Sequence, residues 1–154
     1  MGLEDLYREV IMDHYRHPRN RGRLDHPAVS IELNNPTCGD EIELDLALAE
    51  ERVVDARFSG RGCSISQASA SMMTEAIKGK SLDEALALIE RFRALMRGGS
   101  PVDGELGDIE ALSGVAKFPV RVKCATLSWE ALAKGIEKYR NAKSDKGDAR
   151  SPAP

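Results

Sequence analysis

The sequence predicts an α+β fold, a three-stranded antiparallel sheet packed against about five helices. Two patterns carry this. Apolar and polar residues alternate in three short runs between residues 29 and 58, and from residue 64 onward the apolar residues recur with the 3.6-residue period of helices. The third observation is compositional. With 154 residues, 42% hydrophobic but only 5% aromatic, the chain suffices for one domain whose core must be filled by aliphatic side chains.

Residues 3–15 carry Leu3, Leu6, Tyr7, Val10, Ile11, His14 and Tyr15 at helical spacing, so a first, amphipathic helix is expected to end before Pro18. Residues 16–23 place Arg16, Arg19, Arg21 and Arg23 among Pro18, Asn20 and Gly22, which break regular structure. This exposed loop reads either as solvated charge or as a contact for phosphate or an acidic surface. Val29, Ile31 and Leu33 mark a first strand. After a turn over residues 34–40, Ile42, Leu44, Leu46 and Leu48 mark a second, and residues 53–58 a third, joined by the short connection Glu50, Glu51, Arg52 into a meander. The next helix is expected to open at Ser64, with Ser64 and Gln67 at capping-box spacing, Ile65, Ala68, Met72 and Ala76 on one face, and Gly79 at its end. Ser81 and Glu84 repeat the capping-box signature before the apolar face Leu82, Ala85, Leu86, Ile89, Phe92 and Met96, which Gly98, Gly99 and Pro101 stop. A short helical segment at 108–112 precedes a last helix from about Val120, with Cys124, Leu127, Ser128, Ala131, Leu132, Ile136 and Tyr139 on one face. One domain is expected over residues 1–140, and the polar residues 141–154 are expected to be a disordered tail.

Charge and motifs narrow the function. Twenty-two Lys and Arg against 25 Asp and Glu leave a net charge of −3, so no electrostatic field favours a nucleic-acid partner. No apolar run approaches the roughly 20 residues of a membrane-spanning helix, and the charged opening lacks the apolar segment of a signal peptide, so no membrane partner and a cytoplasmic location are expected. Walker A, G-x-G-x-x-G, H-E-x-x-H and nucleophile-elbow motifs are absent from the sequence.

Three cysteines remain, Cys38, Cys63 and Cys124, an odd number that cannot all pair within one chain. Cys38 and Asp40 stand two apart across Gly39, and an extended segment puts positions i and i+2 on one face. Cys63 leads directly into a helix, whose positive end, with Arg61 nearby, favours negative charge. Cys124 lies in the first turns of the last helix beside Arg121 and Lys123. Each also has a plainer reading: an incidental cysteine in a surface turn for Cys38, a buried small hydrophobe for Cys63 and Cys124. Their shared placement at element ends favours a common site, and three thiolates with one carboxylate suit tetrahedral Zn²⁺. Such a site would be net negative, with Arg61, Arg121 and Lys123 as candidate compensators or as ordinary surface charge. Of the histidines, His14 is expected to pack on the first helix, and His17 and His26 to be solvated.

Four segments, His14-Tyr15-Arg16-His17-Pro18-Arg19-Asn20-Arg21-Gly22, Asn35-Pro36-Thr37-Cys38-Gly39-Asp40, Gly62-Cys63-Ser64-Ile65-Ser66-Gln67-Ala68-Ser69 and Val122-Lys123-Cys124-Ala125-Thr126-Leu127-Ser128-Trp129, resemble the IscU/SufU (NifU N-terminal-like) family. The resemblance spans residues 3–139 and implies an IscU-like fold. IscU-type members, scaffolds for iron-sulfur cluster assembly, carry a histidine immediately before the third cysteine, where this chain has Lys123. That departure, and a longer stretch between the second and third cysteines that includes residues 104–120, resemble the SufU branch. The resemblance implies zinc held by Cys38, Asp40, Cys63 and Cys124, with Cys38 as the catalytic acceptor of persulfide sulfur from a SufS-type cysteine desulfurase, which the protein would activate. It implies downstream Suf scaffold proteins as recipients and a sulfurtransferase activity. The charge reading adds Arg121 and Lys123 in support, Arg121 as a candidate for partner contact or charge compensation. The alternatives are an iron-sulfur cluster assembly scaffold and a purely structural zinc site.

Overall fold

A computed structural model describes residues 3–36, 39–99 and 106–150. The order of elements is helix α1 (Leu3–Arg16), strands β1 (Val29–Asn35), β2 (Asp40–Ala49) and β3 (Arg52–Arg61), helices α2 (Ser64–Ile77) and α3 (Leu82–Met96), a 3₁₀ helix (Gly107–Lys117) and helix α4 (Pro119–Arg150). No helix among the described residues is long and apolar enough to cross a membrane.

The three strands form the expected meander in the order β1-β2-β3, antiparallel throughout. Val29 pairs with Leu46, Ile31 with Leu44 and Leu33 with Ile42, so the alternating apolar residues share one face, which Ala56 and Phe58 extend onto β3. That face packs against α4 and α2. Helix α4 comes close to the sheet at Gly135, where a Cβ would stand 2.9 Å from Leu46. The opposite face carries Glu32, Glu43, Asp45 and Arg57, and Asp45, although charged, is fully buried beneath the loop of residues 20–28. Arg23 donates to Asp45 at 2.8 Å and the Leu24 N–H at 3.0 Å, while Ser30 and Glu43 complete the network. The arginine loop is therefore fastened to the body: Arg19 pairs with Asp13, Arg21 with Gln67 and Arg23 with Asp45.

Helix α2 is the central element, touching α1, α4, β3 and the 3₁₀ helix. The sequence marks a single apolar face, yet every residue from Ser66 to Thr74 is buried. Small Ser and Ala side chains let the neighbours close in on all sides. Two of the hydroxyls have long-range partners: Ser69 donates to the Ala125 carbonyl at 2.6 Å and accepts from Trp129 Nε1 at 3.0 Å, while Ser71 Oγ lies 2.8 Å from His14 Nδ1 and accepts from the Arg19 N–H. Trp129 in turn stacks on Phe92 with centroids 4.5 Å apart, joining α4 to α3.

Ser81 and Glu84 form the expected capping box. Ser64 and Gln67 do not. Helix α2 begins with Cys63 at the N-cap without a side-chain cap, so Ser64 already lies inside the helix and the Gln67 N–H goes to the Cys63 carbonyl at 3.1 Å, while the Gln67 amide oxygen accepts from Arg21. The short segment expected at 108–112 is a 3₁₀ helix over Gly107–Lys117, pinned by Ile109, Leu112 and Val115 in the core. Helix α4 opens with Pro119, which suits a first helical position, and runs on through Arg150, past residue 141 where the tail is expected to begin. Arg140 and Lys143 pair with Glu51 at the tip of the β2-β3 hairpin, and nothing between Tyr139 and Lys146 breaks a helix. Residues 151–154 lie outside the described residues.

Candidate metal centre

Three of the four expected ligands meet. The carboxylate of Asp40 and the sulfurs of Cys63 and Cys124 all lie within 4.8 Å of one another, with Asp40 and Cys124 buried and Cys63 half-buried. Asp40 is the first residue of β2, paired across to Asn35, and Gly39 beside it takes φ +73° while donating its N–H to the Asn35 carbonyl at 2.8 Å. Cys63 stands where β3 gives way to α2, and Cys124 in the second turn of α4, its sulfur 3.7 Å from the Val120 carbonyl. The site is thus the point where the sheet's end meets the starts of two helices. Cys38, the fourth expected ligand, lies outside the described residues.

The sheet and α2 are locked together at this point. Asp40 Oδ1 accepts the Cys63 N–H at 3.0 Å. A Cβ on Gly62 would stand 2.6 Å from that oxygen and 2.4 Å from Ser66 Oγ, and one on Gly60 would stand 2.2 Å from the Glu41 carbonyl. Position 60 can follow this path only as glycine, and a side chain at position 62 would displace the Asp40 carboxylate or Ser66. Asp40 Oδ2 is buried with no hydrogen-bond partner among the described residues. A buried carboxylate oxygen left over is costly unless something electropositive completes it. Two thiols and this oxygen, converging from three elements, form a donor set that fits a borderline-soft divalent ion.

The expected compensating cations are on the rim. Arg61 is 81% exposed and paired with Glu41 at 3.2 Å, which makes it a surface charge. Arg121 and Lys123 are exposed on the first turn of α4, next to the exposed Phe118 and Val120. His17 and His26 are exposed as expected. His14 is fully buried, its Nε2 2.8 Å from Asp108 Oδ2. Its ligand atom, with those of Glu75 and Asp108, also falls within 4.8 Å of its neighbours. Both imidazole nitrogens are engaged, by Ser71 and Asp108, so the group ties α1, α2 and the 3₁₀ helix together. Sequence reasoning missed Gln67 and Arg21 as parts of the site's surroundings, because their contacts join residues far apart in the chain.

Fold and site together define a small α+β domain that carries a cysteine-aspartate cluster at the edge of its sheet. The chain belongs to the NifU-like N terminal domain family, whose match covers residues 6–146. It is 58% identical over 137 residues to the zinc-dependent sulfurtransferase SufU of Bacillus subtilis, covering 88% of this chain and 92% of that one. It is 48% identical to the iron-sulfur cluster assembly scaffold protein IscU of Streptococcus pyogenes, covering 91% of this chain and 88% of that one. The crystal structure of a nitrogen-fixing NifU-like protein (N-terminal) from Brucella abortus superposes with a TM-score of 0.82 at 21% identity, covering 90% and 97% of the two chains, which shows the shared fold.

Proposed function

We propose that this protein is a zinc-dependent sulfurtransferase that accepts persulfide sulfur from a SufS-type cysteine desulfurase and hands it to downstream Suf scaffold proteins for iron-sulfur cluster assembly. The observation that carries the reading is the convergence of Asp40, Cys63 and Cys124 around a buried carboxylate oxygen that has no hydrogen-bond partner among the described residues. The zinc-dependent name of the 58% identical relative supports it. Cys38, two positions from Asp40, completes the ligand set. Zinc bound by these groups supplies Lewis acidity that keeps the thiols deprotonated and moderates their reactivity.

The chemistry assigned to the chain is thiol-disulfide exchange. The Cys38 thiolate attacks the outer sulfur of the desulfurase persulfide. A new S–S bond forms on Cys38 as the old one breaks, the desulfurase cysteine leaves as thiolate, and Cys38 carries the sulfane sulfur with no external oxidant. Asp40 holds the Cys63 N–H and so fixes the arc that carries Cys63. Exposed Arg121 is assigned to partner contact. Arg121→Ala should lower desulfurase stimulation and leave zinc content intact; if both are unaltered, the assignment is wrong.

The test is cysteine turnover by a SufS-type desulfurase with and without the zinc-loaded protein. Strong stimulation, abolished in Cys38→Ala, is expected. No stimulation, together with an iron-sulfur chromophore after anaerobic reconstitution, would favour the second reading, a cluster scaffold. That reading has the name of the Streptococcus pyogenes relative behind it and Lys123, in place of a ligating histidine, against it.

A further inference from the structure

The arc carrying Cys63 depends on two closely packed glycines. Gly60 takes φ +121°, and the close approaches at Gly60 and Gly62 demand two glycines within three residues. Glycine surrenders more conformational freedom on ordering than any other residue, so the path of 60–62 is not held by its own backbone preferences. Asp40 restrains it from inside through the Cys63 N–H. Its first half is paired to β2, Gly60 with Ile42 and Arg61 with Glu41, and Arg21 reaches across to it from the preceding loop.

Arg21 makes three contacts, and all bear on the entry to Cys63. One guanidinium nitrogen donates to the Gly60 carbonyl at 2.8 Å, the other to Gln67 Oε1 in the first turns of α2 at 2.7 Å, and the group lies over the Phe58 ring 5.7 Å from its centroid. Its own backbone is fixed as well: the Phe58 N–H donates to the Asn20 carbonyl at 3.0 Å, the Gly22 N–H donates to the Phe58 carbonyl at 2.8 Å, and Arg21 forms a parallel bridge with Phe58. Phe58 is fully buried. The planar fork thus spans the end of β3 and the start of α2, with Cys63 between its two anchor points.

We infer that Arg21 is a positioning residue for the metal centre, a clamp that holds the Gly60-Gly62 arc and the start of α2 so that the Cys63 sulfur stays in place beside Asp40 and Cys124. This rests on the reading that the site holds zinc. Outer partners of metal ligands typically contribute tenfold to a hundredfold in affinity. Arg21 acts through the backbone, so the lower end, about tenfold, is expected.

The experiment is chelator competition for zinc on the full chain, paired with absorption of the Co²⁺-substituted protein and thermal unfolding. Arg21→Gln should weaken zinc affinity about tenfold and alter the cobalt ligand-field bands. Arg21→Lys, which can reach only one acceptor, should fall between. Arg23→Gln is the control, because it breaks the Asp45 network in the same loop without touching the arc. It should lower thermal stability and leave zinc affinity and the cobalt spectrum unchanged. Gln67→Met removes one anchor and should weaken zinc binding by less than Arg21→Gln, with the double variant no weaker than Arg21→Gln alone. The clamp is overturned if Arg21→Gln binds zinc like the wild type, or if Arg23→Gln weakens binding equally. Should Arg21→Gln fail to fold, unchanged affinity in both Arg21→Lys and Gln67→Met overturns it. Failure of the wild-type chain to hold zinc would instead remove the metal reading itself.

Discussion

Gly62 shows how little room the site leaves. A methyl group there would meet Asp40 Oδ1 at 2.6 Å and Ser66 Oγ at 2.4 Å, so either the carboxylate or the arc must move. Gly62→Ala should lower zinc affinity by about tenfold or more, measured by chelator competition, while far-UV circular dichroism stays that of the wild type. Asp45 offers a residue-scale test of a different kind. Burial, the largest influence, pushes its carboxyl up, but hydrogen bonds from Arg23, Ser30 and the Leu24 N–H, with the charge of Arg23, outweigh it and hold the group below the usual aspartate range. A carboxyl depressed on folding contributes stability above its unfolded value of about 3.9 and loses it as pH falls through the folded value. Urea unfolding should therefore show stability declining below about pH 4, and Asp45→Asn should flatten that decline while lowering stability at pH 7 by about 2 kcal/mol. The sequence makes Cys63, Cys124 and Asp40 legible as candidates, because their residue types imply chemistry. It conceals Asp45 and Arg21, because a strand carboxylate and a loop arginine look like surface charge until their partners are known.

Among the elements, the strands were the most legible, since a period of two translates directly into a buried face. The hairpin joining β2 and β3 is less so. Its central residues Glu50 and Glu51 both have positive φ, at 52° and 61°, a conformation that suits Asn or Gly and that the sequence does not announce. Glu51 pairs with Arg140 and Lys143, but Glu50 is exposed. Glu50→Asn should therefore stabilise the protein by about 0.5–1 kcal/mol, read as a higher urea midpoint at constant slope. The capping box of α3 predicts the opposite sign: Ser81→Ala should cost about 1 kcal/mol. The same signature at Ser64 fails because the helix begins one residue earlier: Cys63 is the N-cap, and the Gln67 N–H goes to the Cys63 carbonyl at 3.1 Å. Helix α2 forms from Ser64 as its spacing predicts, but its burial on every side is not legible there, since Ser and Ala read as an exposed face.

For the whole molecule, the core between sheet, α2 and α4 is continuous and owes nothing to the metal centre, which sits at its edge. Removing zinc should therefore loosen the arc and the helix starts without unfolding the domain. At zinc a thousandfold above its dissociation constant, linkage gives about 4 kcal/mol, or roughly 10 °C in Tm for a chain of this size, with native secondary structure retained after chelation. Complete unfolding on chelation would support the purely structural role for zinc instead. What the sequence supplied at this scale was the architecture. How α1, the arginine loop and the 3₁₀ helix close around α2 depends on contacts such as His14 with Ser71 and Asp108, which no spacing reveals. The most direct test of the central claim is intact and peptide mass spectrometry of the zinc-loaded protein after incubation with a SufS-type desulfurase and cysteine. The account predicts a gain of one sulfur on Cys38, removed by reductant and absent in Cys38→Ala. Desulfurase turnover with Cys38 unmodified, or sulfur carried on Cys63 or Cys124 instead, would contradict it.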